Sequence, residues 1–209
     1  MKDLPPLHAI LDVDAAERAG WAPLDLGRAF IDGGARLVQV RAKQLASGAF
    51  LDLCDDMVDA ASPLGGGVIV NDRVDIARMS GAAGVHVGQD DMTPEAARAL
   101  LGPHAVVGYS THHLDQVRAA LTEPISYIAV GPVFGTRSKD TGYSAVGLEL
   151  VSAAAKAAGQ TPIVAIGGIT LDNARSVLDA GAWAVAVISD LLVTGDPRTR
   201  VAAYLRALA

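Results

Sequence analysis

The 209 residues predict an α/β protein, a (β/α)8 TIM barrel in a single domain spanning 1–209, and three observations lead there. Short β-branched runs alternate with longer helical patterns from one end of the chain to the other, the rhythm of a parallel sheet with helical crossovers. About eight such units can be counted, and the length sits at the short end of what a barrel needs. The strand runs are apolar throughout, as strands covered on both faces should be.

In order, the strand candidates are Leu7 to Leu11, Arg36 to Val40, Gly67 to Val70, Gly84 to Val87, Ala105 to Gly108, Tyr127 to Val130, Pro162 to Ile166 and Trp183 to Ile188. Between the second and third, Phe50, Leu53, Cys54, Met57, Val58 and Ala61 repeat at helical spacing and line one stripe. After the eighth, Val201, Tyr204, Leu205 and Leu208 share a face, so the last helix should dock on the barrel wall and close it. Element ends are also legible: Thr93-Pro94 reads as N-cap and first helical residue, Thr170 as an N-cap, and Gly181 as a helix-terminating glycine.

Composition narrows the function. A net charge of −6 gives no basic face for nucleic acid, so any anionic ligand must be captured by local groups. Alanine carries much of the 51% hydrophobic content and aromatics only 4%, which suits short helices packed closely on a sheet. The single cysteine, Cys54, rules out an internal disulfide, and its spacing puts it on the buried face of a helix. With no signal-peptide stretch and no run near the roughly 20 apolar residues that cross a bilayer, a soluble, cytoplasmic protein is expected. Homo-oligomerisation is left open.

In a barrel, chemistry belongs to the loops at the carboxyl ends of the strands, so position itself is evidence. Gln39, Arg41 and Lys43 alternate at the end of the second strand and therefore face one side, offering an amide and two cations. Asn71 and Asp72 end the third strand, and Gly88-Gln89-Asp90-Asp91 follow the fourth. Two carboxylates from adjacent strands can hold Mg2+, which completes its octahedron with water and phosphate oxygens. Capping of the next helices is the competing role for Asp72 and Asp91. His86, inside a strand, reads as a satisfied core residue, whereas His112 and His113 are candidate proton carriers. No group has zinc-like spacing, and no serine sits in a nucleophile elbow. The loop from Gly131 to Gly142, with its glycines, hydroxyls and Lys139, suits a cover over an anion. Gly167-Gly168 after the seventh strand and Ile188-Ser189 after the eighth stand where barrels gather backbone N–H groups around a phosphate.

Read together, Gln39-x-Arg41-x-Lys43, Val70-Asn71-Asp72-Arg73, Gly84-Val85-His86-Val87-Gly88-Gln89-Asp90-Asp91, Gly108-Tyr109-Ser110, Gly131-Pro132-Val133-Phe134 and Ile166-Gly167-Gly168-Ile169-Thr170 resemble the thiamine phosphate synthase family, in family order across nearly the whole chain. The resemblance implies a transferase that joins hydroxymethylpyrimidine diphosphate to a thiazole phosphate, giving thiamine phosphate and pyrophosphate. It implies that Gln39 holds the pyrimidine, that Arg41, Lys43, Asn71 and Lys139 contact the diphosphate, and that Asp72 and Asp91 bind Mg2+. Ser110 would face the pyrimidine or the departing pyrophosphate, and Arg41, Lys43, Ser110 and Lys139 form the implied catalytic set. Thr136 and Ser138 would contact the thiazole substrate, with its phosphate on Gly168, Ile188 and Ser189. Gly135 and Ser138 depart from the proline and threonine common in the family, although the hydroxyl survives.

Three alternatives are weighed against it. A thiazole tautomerase, with His112 as its catalyst, has no use for Arg41, Lys43, Asp72 and Asp91 together. A non-catalytic sensor of thiamine precursors would bind without turnover. A phosphosugar isomerase or aldolase would want a lysine inside a strand or paired bases, and neither is evident.

Overall fold

The computed structural model describes residues 4–135 and 144–209. Eight parallel strands close a barrel in chain order: β1 (Leu7–Asp12), β2 (Leu37–Arg41), β3 (Gly67–Asn71), β4 (Gly84–Val87), β5 (Val106–Thr111), β6 (Tyr127–Val130), β7 (Ile163–Ile166) and β8 (Ala184–Val187). β1 pairs with β2 on one side and with β8 on the other, so no edge is left open. The largest departure from the sequence reading is β5, which runs on through Tyr109, Ser110 and Thr111. Those residues lie in register with Ile128, Ala129 and Val130, so the partner ladder extends the strand beyond its own apolar run.

The helices are α1 (Val13–Arg18), α2 (Pro23–Asp32), α3 (Ser47–Ala61), α4 (Val74–Met79), α5 (Pro94–Leu101), α6 (Leu114–Ala120), α7 (Gly147–Ala158), α8 (Ala174–Asp179) and α9 (Pro197–Leu208). Among the described residues none is long and apolar enough to cross a membrane. The period of two along each strand sorts side chains into two layers. Leu7, Ala9 and Leu11 face outward and pack with Phe30, Cys54, Met57 and Tyr204 of the helical ring. Ile10 turns inward to meet Leu37, Ile69, Val106, Tyr127 and Val164 in the barrel interior.

Closure depends on α9. Its Val201, Tyr204 and Leu208 are buried, and it crosses α2 so closely that a Cβ on Gly33 would lie 2.5 Å from the Arg198 carbonyl oxygen. Thr93 caps α5 by accepting the Ala96 N–H, with Pro94 in the first turn. Gly181 follows α8 at φ +107° and donates to the Leu178 carbonyl. The N-cap expected at Thr170 is displaced: α8 starts at Ala174, because residues 171–173 first form a turn in which the Asn173 Oδ1 accepts the Thr170 N–H at 2.8 Å.

Candidate active site

The carboxyl ends of β1 and β2 supply the first element of the site. Arg41 ends β2 directly beside Asp12, which ends β1, and its Nη1 donates to the Asp12 Oδ2. Asp12 is only 2% exposed, and its other oxygen accepts the Ala15 N–H at 2.9 Å, capping α1. A buried carboxylate bonded to two donors is a rigid anchor, so the Arg41 guanidinium is aimed by β1 while it is carried by β2. Arg41 Nε is buried with no hydrogen-bond partner among the described residues, on a side chain that borders the cavity.

The next two strands bring carboxylates together. Asp72 follows β3 at φ +64°, a left-handed conformation that aspartate tolerates better than most side chains, and its N–H donates to the His86 carbonyl at 2.8 Å. Its Oδ2 accepts from Lys43 Nζ. Asp91 follows β4, and its Oδ2 accepts the Gly88 N–H at 2.7 Å. Burial above all pushes the Asp91 carboxyl upward, and the negative charge of Asp72 adds to that, while the Gly88 N–H and the Lys43 charge oppose it. Neither carboxylate caps the helix that follows: α4 has no side-chain cap, and α5 is capped by Thr93. Asp72 and Asp91 face each other and Lys43 at one rim, a carboxylate pair that could hold a cation.

Beneath that rim lies a cavity of about 440 Å3 that descends into the barrel. Gln39, Arg41, Asn71, Ser110, Gly168, Ile188 and Ser189 line it, whereas Lys43, Asp72 and Asp91 stand outside the lining at its edge. A polar chain runs along one wall. The Tyr127 hydroxyl lies 2.9 Å from His86 Nδ1, and His86 Nε2 lies 2.8 Å from Ser110 Oγ. Burial raises the Tyr127 phenol, so Tyr127 stays protonated, and the direction of the two bonds to His86 follows the tautomer of its ring. Gln89 Nε2 donates to the Ser110 carbonyl at 2.7 Å and fixes the same residue from β4. His86 is thus a buried, hydrogen-bonded residue that also forms part of the cavity wall.

Deeper still, His8 packs edge-on against Tyr127 with ring centroids 5.2 Å apart, and its Nε2 is buried with no hydrogen-bond partner among the described residues. Burial first, and the neighbouring His86 second, hold the His8 imidazole down at about 3, so it is neutral at physiological pH. His112 also lines the cavity, and because a carbonyl can only accept, its Nδ1 donates to the Gly131 oxygen at 2.7 Å. His113 is not in the lining. It is exposed and caps α6, so the two adjacent histidines have different surroundings.

The far wall is built by the turns after β7 and β8. Gly167 and Gly168 have φ of +100° and +66°. Beside any close approach of backbone to a phosphate, the protein itself requires glycine at both positions. A Cβ on Gly167 would lie 2.5 Å from Pro132 Cβ, and one on Gly168 would lie 2.6 Å from the Gly135 carbonyl oxygen. The glycine pair lets the loop after β6 cross over the end of β7. Asp190, just past Ser189, is 9% exposed and ties this wall together through Leu171, Arg200 and Tyr204.

Of the residues singled out from the sequence, Gln39, Arg41, Lys43, Asn71, Asp72, Asp91, Ser110, Gly168, Ile188 and Ser189 gather at the carboxyl end of the barrel. Thr136, Ser138 and Lys139 lie outside the described residues. Sequence reading missed Asp12, His8, Tyr127 and Asp190. Asp12 could have been found by applying the strand-end rule one residue beyond Leu11. The other three carry no local signal, since each acts through partners distant in sequence.

Comparison with known proteins shows the family. A family model described as thiamine monophosphate synthase matches residues 13–191. The chain is 43% identical over 207 residues to the thiamine-phosphate synthase of Koribacter versatilis, covering 98% of the chain and 96% of the relative. It is 42% identical over 192 residues to that of Thermus thermophilus, covering 90% and 91%. Among solved structures, a thiamine phosphate pyrophosphorylase from Pyrococcus furiosus superposes with a TM-score of 0.88 at 28% identity, over 99% of this chain and 96% of that one. A 3-hexulose-6-phosphate synthase, at 17% identity and a TM-score of 0.72, shares the fold alone. Matched by the family model and by these relatives over nearly its whole length, the protein belongs to the thiamine monophosphate synthase family of transferases.

Proposed function

We propose that the chain, acting in the cytoplasm as one catalytic domain over residues 1–209, joins hydroxymethylpyrimidine diphosphate to a thiazole phosphate and releases pyrophosphate. The carbon–oxygen bond of the pyrimidine methylene breaks, the electron pair leaves with pyrophosphate, and the thiazole nitrogen donates its pair to the cationic methylene carbon. No general base is required for that attack. The demand on the protein is to stabilise charge growing on pyrophosphate, which preorganised cations and hydrogen-bond donors do most effectively.

The observation that carries this reading is the convergence of Lys43, Asp72 and Asp91 on one rim, next to Arg41 and above the cavity. Arg41, Lys43, Asn71 and Lys139 would hold the diphosphate, with Arg41 aimed by Asp12. Ser110, whose Oγ lies 2.8 Å from His86 Nε2, would face the pyrimidine or the departing pyrophosphate. Gln39 would hold the pyrimidine over the Tyr127 floor. Gly168, Ile188 and Ser189 would receive the thiazole phosphate, with Thr136 and Ser138 nearby.

The donor set fits Mg2+. Among the described residues there is no cluster of three or more candidate metal ligands, and a pair of carboxylates suffices for an ion that takes its other ligands from water and phosphate. Asp72 and Asp91 are that pair, and a cation between them would relieve the repulsion that helps push the Asp91 carboxyl up. When bound, the ion supplies Lewis-acid stabilisation of the leaving pyrophosphate. The test is turnover: purified protein with both substrates and Mg2+ should form thiamine phosphate and one equivalent of pyrophosphate. Binding of both substrates without product would instead make the chain a sensor, and conversion of the thiazole precursor alone would make it a tautomerase.

A further inference from the structure

We infer that Asp190 and Arg200 form a positioning clamp that sets the phosphate-holding geometry of the β7 and β8 turns, and that Arg200 is the charge that makes an anion tolerable there. The inference rests on the proposed reaction for the identity of the phosphate, but the clamp itself is read from its contacts.

One oxygen, Asp190 Oδ2, accepts from three residues. Leu171 N–H donates at 3.1 Å from the turn after β7. The Tyr204 hydroxyl donates at 2.5 Å, and Arg200 donates through Nη2 at 2.7 Å and Nε at 3.2 Å, both residues belonging to α9. Arg200 Nε also reaches the Asp190 carbonyl at 3.2 Å. Asp190 itself belongs to the turn after β8. A single side chain therefore fixes the separation of the two turns that line the far wall of the cavity, with α9 as the frame.

Docking of α9 does not need this arrangement. Val201, Tyr204 and Leu208 already bury an apolar face, and a buried ion pair adds little stability over well-packed apolar replacements. What a buried pair does supply is a fixed geometry. Its placement is otherwise adverse: Asp190 borders the cavity beside Ser189, where a carboxylate would repel a phosphate unless its charge were matched. Arg200, which does not line the cavity, matches it, and its guanidinium lies 5.8 Å from the Tyr204 ring centre. The phosphate then meets hydrogen-bond donors and a neutralised pair.

The experiment compares Arg200→Met, Tyr204→Phe and the double variant Asp190→Asn/Arg200→Met with the unaltered protein, measuring KM for each substrate, kcat and Tm. Arg200→Met should raise the KM for the thiazole phosphate by about ten- to a hundredfold, the range for losing a hydrogen bond to a charged group, with the KM for the pyrimidine diphosphate changed less than about twofold. The double variant should recover part of that loss, since it removes the stranded carboxylate. Tyr204→Phe, which keeps the packing, should shift the same KM in the same direction. A lower Tm with both KM values moving together, or no rescue in the double variant, would show a purely structural tether and overturn the clamp. Calorimetry with inorganic phosphate keeps the question open to measurement if the two-substrate reaction itself fails: weaker phosphate binding in Arg200→Met supports the clamp, and equal binding refutes it.

Discussion

Asp91→Asn separates the charge of the candidate metal site from its shape. The amide oxygen of asparagine can still accept the Gly88 N–H now held at 2.7 Å, so the turn after β4 keeps its bond. Only charge is lost: Lys43, Asp72 and Asp91 together carry one net negative charge, and with asparagine the set becomes neutral. Burial, reinforced by Asp72, pushes the Asp91 carboxyl above its ordinary range, so the folded protein holds that proton to higher pH than the unfolded chain does. Ionisation therefore costs the folded state stability, and the cost develops as pH rises above the ordinary carboxylate range and through the raised value of the folded protein. Asparagine removes it. Metal-free Asp91→Asn should consequently unfold at the same temperature as the metal-free parent or above it, an unusual sign for a substitution in an active site. The order reverses on loading: at about a hundred times Kd, Mg2+ should stabilise the parent by about 2.7 kcal/mol and the variant by much less. Turnover should fall by about 3 kcal/mol of barrier, a factor on the order of a hundred, because one of the charges that organises stabilisation of pyrophosphate is gone. Thermal melts with and without Mg2+, beside pyrophosphate release at saturating substrates, read all of these effects. Full turnover together with an undiminished Mg2+ shift would remove Asp91 from the metal site.

Three further outcomes follow from buried groups. Asp12→Ala strands Arg41 and uncaps α1, so urea unfolding should show a loss of about 3–5 kcal/mol, whereas Asp12→Asn keeps the cap bond and should lose less. The His8 imidazole is held down at about 3 by burial, while the unfolded chain takes up that proton near 6.5. Between those values acid favours the unfolded state, so stability should fall by about 2 kcal/mol from pH 7 to pH 5 through this group alone, and His8→Phe should flatten the dependence in urea titrations. Burial pushes the Cys54 thiol up to about 12, so a thiol-specific disulfide reagent at pH 8 should leave it unmodified in the native protein and react once denaturant is added.

Much of the site was legible because a barrel converts sequence position into spatial position. Each strand ends at the same rim, so polar residues just past an apolar run, such as Asn71-Asp72 or Asp91, can be assigned to that rim without coordinates. Gln39, Arg41 and Lys43 add the period of two, which sends alternate residues to one face. The same logic fails inside the strands. β1 is buried on both faces, so His8 and Ile10 differ from Leu7 and Ala9 in direction but not in pattern, and the sequence contains no mark of which set faces the cavity. The two acidic residues read as possible helix caps show the complementary limit. Thr93 takes the cap of α5, and Asp72 sits one residue too early for α4, in a left-handed turn that frees its carboxylate for Lys43.

By itself the sequence determined the order of elements, the closure by an amphipathic last helix and the family, because each depends on local periodicity or on motifs of a few contiguous residues. The tertiary structure alone decided the partners: Asp12 with Arg41 across the β1–β2 register, Tyr127 with His86, and Asp190 with Leu171, Arg200 and Tyr204. The physical reason is that a hydrogen bond is fixed by distance and angle within a few tenths of an ångström. That accuracy between residues far apart in the chain exists only after the barrel has closed.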